Sequence, residues 1–334
     1  MRPFAYERPE SIEQAMTMLA TSEATSPDIR PLAGGTDLLT LMKSDIVRPD
    51  TLIDLKRVAE LDDRIETTPD GTTIGALTTL SQLEHDPTIQ SSYGALAGSA
   101  GQAATPQLRN MATLGGNVLQ RPRCWYFRDP EIACWLKGGD TCPAHDGENT
   151  HHAIFQESPC VAVHPSDSAA ALIALDAEVL VRGSSGERTI PIGQFFTTPT
   201  DEYRRENVLA PGELILGFRL PTPASGTRSV YLKAMDRKVW AFALVGVAAS
   251  VTVTGGIIGD ARIVLGGVAT VPHRLTQVED AVRGQAPDDV VFARAAELGL
   301  DGARPLSHSG YKVDLAKALI QRALMAATVQ RSMT

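Results

Sequence analysis

Pro31-Leu32-Ala33-Gly34-Gly35-Thr36-Asp37-Leu38 is the stretch whose reading decides the fold. Ile29 to Ala33 reads as a short strand that runs straight into the glycine pair. Leu38 to Lys43 then reads as a helical turn and Thr51-Leu52-Ile53-Asp54-Leu55 as a second strand, so this part of the chain predicts a compact βαβ unit. A glycine pair lets the backbone approach a ligand with no Cβ in between, and successive amides can then point at an anion. Arg109-Asn110-Met111-Ala112-Thr113-Leu114-Gly115-Gly116-Asn117-Val118 repeats the device. Two such turns, followed by Thr36 and Asn117, suit the two halves of a pyrophosphate. For either turn alone, the competing reading is an ordinary tight turn. The dinucleotide fingerprint G-x-G-x-x-G and a Walker loop are both missing, as are H-E-x-x-H and G-x-S-x-G. Obvious acid–base machinery is sparse, which favours electron transfer over hydrolysis.

Outward from these turns, Glu10 to Ser22 places Ile12, Ala15, Met16 and Leu19 at helical spacing. Thr72 to Ala76 reads as a strand, Leu80–Glu84 and Ala95–Ala103 as helices. Ala169 to Leu175 is an apolar helix, and Glu178 to Val181 leads into a hairpin turn at Gly183-Ser184-Ser185-Gly186. Pro221-Thr222-Pro223-Ala224-Ser225-Gly226 marks a domain boundary. Beyond it, Ser229–Lys233, Ala243–Val253 and Ile257–Leu265 alternate like antiparallel strands, and two or three helices close the chain, the clearest from Val313 to Ala327. A length of 334 residues, 43% hydrophobic, is enough for two domains with real cores. The net charge of −8 offers no broad basic surface, which argues against nucleic acid. No apolar run approaches the roughly 18–20 residues of a membrane span. The expectation is a soluble, mildly acidic protein, cytoplasmic by default, since no secretory or twin-arginine signal opens the chain and Arg204-Arg205 lies in its middle.

All four cysteines, Cys124, Cys134, Cys142 and Cys160, fall in one 37-residue window. Four thiolates close in sequence suit a metal centre, either zinc or an iron–sulfur cluster. Gaps of nine, seven and seventeen residues with no C-x-x-C argue against a zinc ribbon. His145, His151, His152 and His164 share the region and keep a mixed zinc site open, and two disulfides remain a third arrangement. The window is poor in apolar periodicity, so it is expected to be an insertion held by its ligands rather than by a core. Arg121, Arg123 and Arg128 crowd Cys124, and Lys137 lies near Cys134. They either point inward, where they would raise a cluster's potential, or stay solvated and pair with Asp129 and Glu131.

Taken in order, Pro31 to Leu38, Arg109-Asn110 leading to Thr113 through Asn117, Pro165-Ser166-Asp167 before an apolar helix, Lys233 and Arg237, and Gly266-Gly267-Val268-Ala269 near Pro272 resemble the FAD-binding subunit of molybdenum hydroxylases. This is the xanthine dehydrogenase and carbon monoxide dehydrogenase family, and the resemblance spans essentially the whole chain. The segment Arg121 to Arg128 with its cysteines is similar to the flavoprotein subunit of bacterial aldehyde oxidoreductases, and more distantly to that of 4-hydroxybenzoyl-CoA reductase. The resemblance implies an α+β chain. Residues 1–222 would form a vanillyl-alcohol-oxidase (PCMH)-type FAD-binding domain of two α/β subdomains, with an insert at about 121–163. Residues 223–334 would form a domain of the CO dehydrogenase flavoprotein C-terminal type.

The same resemblance implies non-covalently bound FAD and one [4Fe–4S] cluster on Cys124, Cys134, Cys142 and Cys160. Its flavin residues would be Pro31, Leu32, Ala33, Gly34, Gly35, Thr36, Asp37 and Leu38; Ala104, Arg109, Ala112, Thr113, Gly115, Gly116 and Asn117; and Asp167, Ile215 and Lys233. Backbone amides of both turns would hold the pyrophosphate, Asp167 would bond ribityl or adenosine hydroxyls, and Lys233 would sit near the isoalloxazine edge. Asp167 also suits a helix N-cap and Lys233 a surface strand. Ala103-Ala104 stands where relatives often place an aromatic beside the flavin, a role open to Trp240 or to Trp125-Tyr126-Phe127. The implied assembly is a heterotrimer with a molybdenum-cofactor large subunit and a [2Fe–2S] small subunit, passing electrons through FAD to a terminal acceptor. Aldehyde oxidation is the expected reaction, xanthine oxidation or 4-hydroxybenzoyl-CoA reduction the alternatives, and a stand-alone zinc-stabilised flavin oxidase the competing class. The cluster is expected to be structural or a side branch of the electron path. The resemblance also allows a periplasmic location where a partner carries a twin-arginine signal.

Overall fold

Ile29–Leu32 and Thr51–Asp54 run side by side in parallel, joined through the helix Leu38–Lys43, so the predicted βαβ unit forms. Ala5–Glu7 adds a third parallel strand on the far side of Thr51–Asp54. The helix Ile12–Ala24 closes this unit by setting Ile12, Ala15 and Leu19 against Ile53, Val58 and Leu61. The computed structural model describes residues 1–24, 28–239 and 241–329, without the side chains of 21–24; Trp240 lies outside the described residues.

A second sheet has five antiparallel strands in the order Ile65–Thr68, Gly71–Gly75, Leu214–Pro221, Glu178–Gly183 and Gly186–Pro191. The predicted hairpin closes it, with Gly183 opposite Gly186. Leu214–Pro221 is its central strand, and Phe218 and Leu220 are fully buried there beside Ile74 and Val179. The sequence reading passed over this strand. The helices Leu80–His85, Gly94–Gly101 and Asp167–Ala174 supply the rest of that core.

The four-stranded antiparallel sheet after residue 226 runs His273–Arg274, Ile257–Gly266, Val245–Thr254, Thr227–Ala234. Period-2 alternation sends Val245, Val247, Ala249 and Val251 towards the helices Thr276–Val282, Asp289–Leu298 and Tyr311–Thr328. Ala248, Tyr231 and Val264 face the other way, into the core of the five-stranded sheet. The proline-rich link at 221–226 therefore separates chain segments, while one apolar core runs across it. Small residues make the contact close: a Cβ on Gly94 would stand 2.7 Å from the Ser229 carbonyl oxygen, and Ala95 donates its amide to the Ser229 hydroxyl.

The insert is better anchored than its composition predicts. Phe127, Trp135, Leu136 and Ala162 pack with Leu41 and the cysteines into an apolar cluster of their own. Trp135 donates its indole N–H to Asp201 at 3.0 Å, and the Arg204 guanidinium lies 4.5 Å above its ring. On the other side, Asn149 bonds Ser307 and the His308 amide, while Lys312, fully buried, donates to the carbonyls of His151 and Gly267. Burial pushes that lysine down to about 7. The expectation that the cysteines' ligand alone orders the insert is thus corrected.

Gly94→Ala drives a methyl into backbone that cannot step aside. It is expected to cost about 1–3 kcal/mol, measurable as a lower denaturant midpoint at unchanged slope; an unchanged midpoint would show that the domain contact relaxes freely.

Candidate functional site

Thr36, Ala104, Ala112, Asn117, Asp167 and Lys233 line one cavity of about 870 Å³ at the junction of the two domains, within the usual size range of a ligand site. The first glycine turn is pressed against the second. A Cβ on Gly34 would sit 1.8 Å from the Met111 carbonyl oxygen, and Gly35 adopts φ +71, a left-handed conformation that suits glycine. Pro31, Leu32, Ala33 and Leu38 shape that turn from behind and do not line the cavity.

The two turns differ in their amides. Among the described residues, the amides of Gly34, Gly35, Thr36 and Asp37 have no acceptor, so this turn can receive an anion. In the second turn the amides from Leu114 to Asn117 are already satisfied. Leu114 donates to Thr78 at 2.8 Å, Gly115 to Ala76 at 3.0 Å, Gly116 to the Thr113 hydroxyl at 3.2 Å and Asn117 to Thr113 at 2.8 Å. Thr113 is the N-cap of the short helix Leu114–Val118, and capping uses up these donors. Of the amides from Thr113 to Asn117 expected at the pyrophosphate, only that of Thr113 is left open, and the turn lines the cavity with the Asn117 side chain beside Ala112. Asn117 accepts from the Ser166 hydroxyl at 2.6 Å, which turns its NH2 away from Ser166.

Asp167 is not a cap, since Ser166 fills that position by accepting from Ala169. Nor is Lys233 a surface residue. Lys233 Nζ meets Asp167 Oδ2 at 2.7 Å, with their side chains 1% and 7% exposed, and Tyr231 donates to Asp167 Oδ1 at 2.5 Å. That carboxylate and burial push the tyrosine well above its ordinary range. Lys233 also donates to the Gln102 carbonyl, and Arg109 to that of Ala103. Between them these bonds pin Ala104, which sits at φ +48, a conformation that costs a non-glycine residue about 1–2 kcal/mol. Arg109 is therefore a strut, ion-paired with Glu84 at 2.8 Å, and not a cavity residue. Ile215 is corrected likewise: it lies 6% exposed in the core of the five-stranded sheet.

Asp37 turns from the cavity to the insert. Its Oδ1 meets Arg123 and Arg128, each at 2.8 Å, and its Oδ2 accepts the Arg121 amide. Arg121 itself pairs with Glu206 at 3.2 Å. The arginines thus take neither predicted course; they pair with Asp37 and Glu206, not with Asp129 or Glu131. Arg123 also lies 4.8 Å from the Phe242 ring, and burial pulls its guanidinium down to about 10. Of the aromatic residues expected beside the flavin, Trp125 lines the cavity and Phe127 is buried in the insert's own cluster; Phe242, which the sequence did not single out, lines the cavity too.

The four cysteines gather on one apolar wall. The Cys160 thiol donates a hydrogen bond to the Cys142 sulfur and holds Cys142 below the usual thiol range, whereas burial pushes Cys124 up to about 11. His152 Nε2 lies 3.2 Å from Cys124 Sγ, and burial draws its ring down to about 4, so it is neutral. A single zinc would draw its sulfurs to about 3.8 Å of one another. Among the described residues no three His, Cys, Asp or Glu side chains are placed to hold a metal ion. Cys124, His151 and His152 also border the cavity, a juxtaposition that no local pattern announced.

The chain matches two families: "FAD binding domain in molybdopterin dehydrogenase" over residues 2–223 and "CO dehydrogenase flavoprotein C-terminal domain" over residues 230–327. It is 37% identical to the aldehyde oxidoreductase FAD-binding subunit PaoB of Escherichia coli, covering 99% of this chain and 100% of that one. It is 28% identical to the glyceraldehyde dehydrogenase medium chain of Sulfolobus acidocaldarius, over 96% of each. A carbon monoxide dehydrogenase structure from Hydrogenophaga pseudoflava superimposes with a TM-score of 0.77 at 28% identity, over 98% of both chains. The chain belongs to the FAD-binding subunits of the xanthine dehydrogenase and molybdenum hydroxylase family.

Breaking a buried ion pair strands the remaining charge. Asp167→Ala is expected to destabilise the protein by about 3–5 kcal/mol, read by chemical denaturation. A cost below about 1 kcal/mol, typical of a solvated pair, would mean that water reaches Lys233.

Proposed function

We propose that this chain is the flavin-bearing electron-transfer subunit of a heterotrimeric, molybdenum-dependent aldehyde dehydrogenase or oxidase. The observation that carries the reading is the cavity. Open amides of the first turn, the Asn117 side chain and the buried Asp167–Lys233 pair converge there from both domains, in a chain collinear with an aldehyde oxidoreductase subunit. FAD bound in it would supply the ability to exchange electrons singly on one side and in pairs on the other. The protein's part is to hold the dinucleotide at the first turn, fix the Gln102–Ala104 backbone through Arg109 and Lys233, and present Lys233 where charge on the isoalloxazine changes. Substrate oxidation belongs to a molybdenum-cofactor partner, and a [2Fe–2S] partner delivers the electrons.

The flavin reading includes non-covalent attachment, because neither glycine turn carries a histidine or cysteine. Acid precipitation of the complex is expected to release all yellow colour into solution; colour kept in the pellet would contradict it.

The cysteine wall extends the proposal to one [4Fe–4S] cluster on Cys124, Cys134, Cys142 and Cys160. All-thiolate donors in an apolar setting support it. Co-purified with its partners, the chain is expected to carry about four irons and to give a reduced-state paramagnetic signal beyond those of the [2Fe–2S] partner. One zinc with no extra iron would end the cluster reading and favour a stand-alone zinc-stabilised oxidase.

A further inference from the structure

A dinucleotide brings two phosphates into the cavity, and the backbone of this chain is short of donors for them. The four amides of the second glycine turn, Leu114 to Asn117, all have acceptors within the protein. Among the described residues of the two turns, open N–H groups remain in the first turn and at Thr113. Positive complement has to come from side chains, and the insert provides it. Arg123 and Arg128 both line the cavity together with Thr36 and Asn117. Two guanidinium groups share a single carboxylate oxygen of Asp37, so the group keeps a surplus positive charge.

The two arginines are not equivalent. Arg128 spends four of its five donors on Pro122, Arg121, Thr40 and Asp37. Arg123 bonds Asp37 through one terminal nitrogen and Gln120 through the other, and its buried Nε has no partner among the described residues. A guanidinium carries five N–H donors, so Arg123 retains spare ones on a cavity wall. The Phe242 ring stacked against it fixes its plane. A planar donor with a held orientation is what a phosphate recognises, through charge-assisted and often paired hydrogen bonds.

We propose that Arg123, a residue of the cysteine insert, binds the FAD pyrophosphate and takes the place of the amides that the second glycine turn withholds. This rests on the flavin site argued above. It makes the insert part of the flavin wall: the segment that carries the cysteines also carries the cation that faces the dinucleotide.

The test compares Arg123→Gln and Arg123→Lys in the co-purified complex. FAD affinity is read by fluorescence after flavin stripping, and the bound pyrophosphate is observed directly by phosphorus NMR. Arg123→Gln is expected to raise the FAD dissociation constant roughly ten- to a hundredfold and to shift the phosphorus resonances, with the isoalloxazine absorption unchanged. Arg123→Lys is expected to recover part of the affinity. Unchanged affinity would overturn the proposal. Weakened affinity with unmoved phosphorus resonances would overturn it too, because Arg123 would then be only a strut to Asp37. Should Arg123→Gln fail to fold, Arg123→Lys alone decides, since a lysine that bonds the phosphate still moves those resonances. Wild-type protein without flavin would instead be a failure of the flavin site itself.

Discussion

A carboxylate and an ammonium shut away from water must find each other, and Asp167 and Lys233 do so across the junction of the two domains. One sits on the first turn of a helix in the flavin domain, the other on a strand of the C-terminal sheet. Their geometry is kept by what surrounds them. Glycines and alanines on the helix Gly94–Gly101 let the sheet come close, and Tyr231 adds a third bond to the carboxylate. The pair in turn orders the Gln102 carbonyl, and with it the backbone that runs to the strained Ala104. Domain docking and cavity shape are therefore one constraint.

A second junction ties the insert to the glycine turn. Asp37 lies two residues after the flexible pair, and its carboxylate is occupied by groups from 121 to 128. A turn built of small residues gains rigidity from outside itself, which preorganises its open amides at little entropic cost when a ligand arrives. The insert in turn gains a fixed starting point for the peptide that reaches Cys124.

Local features were legible in the sequence. The βαβ unit, the hairpin at Gly183–Gly186, the apolar helix after Asp167 and the closing helix all follow from periodicity and turn chemistry. The glycine motifs located the cavity. The sequence did not reveal how the donors are used. Thr113 three residues before Gly116 is a capping pattern that could have warned that the second turn's amides were spoken for. The partners of Asp37 lie 84 to 91 residues away, beyond any local pattern. Arg109 looked like a site residue and proved to be a strut because its partner, Glu84, comes from another helix. The insert looked coreless because Phe127, Trp135, Leu136 and Ala162 follow no period, yet they meet in space.

Lys312 has a consequence for how the chain is made. Its fully buried side chain donates to the carbonyl of His151 in the insert and to that of Gly267 beyond the last long strand. Ser307 and His308 hold Asn149 from the same direction. All of these clamps come from residues 307–312, which are synthesised well after the insert. A chain emerging from the ribosome folds from its N-terminal side first, so the flank of the insert around 149–152 stays unlatched until the closing helix has been made. The flank of the insert is thus fixed late, by the helix Tyr311–Thr328 and the residues just before it.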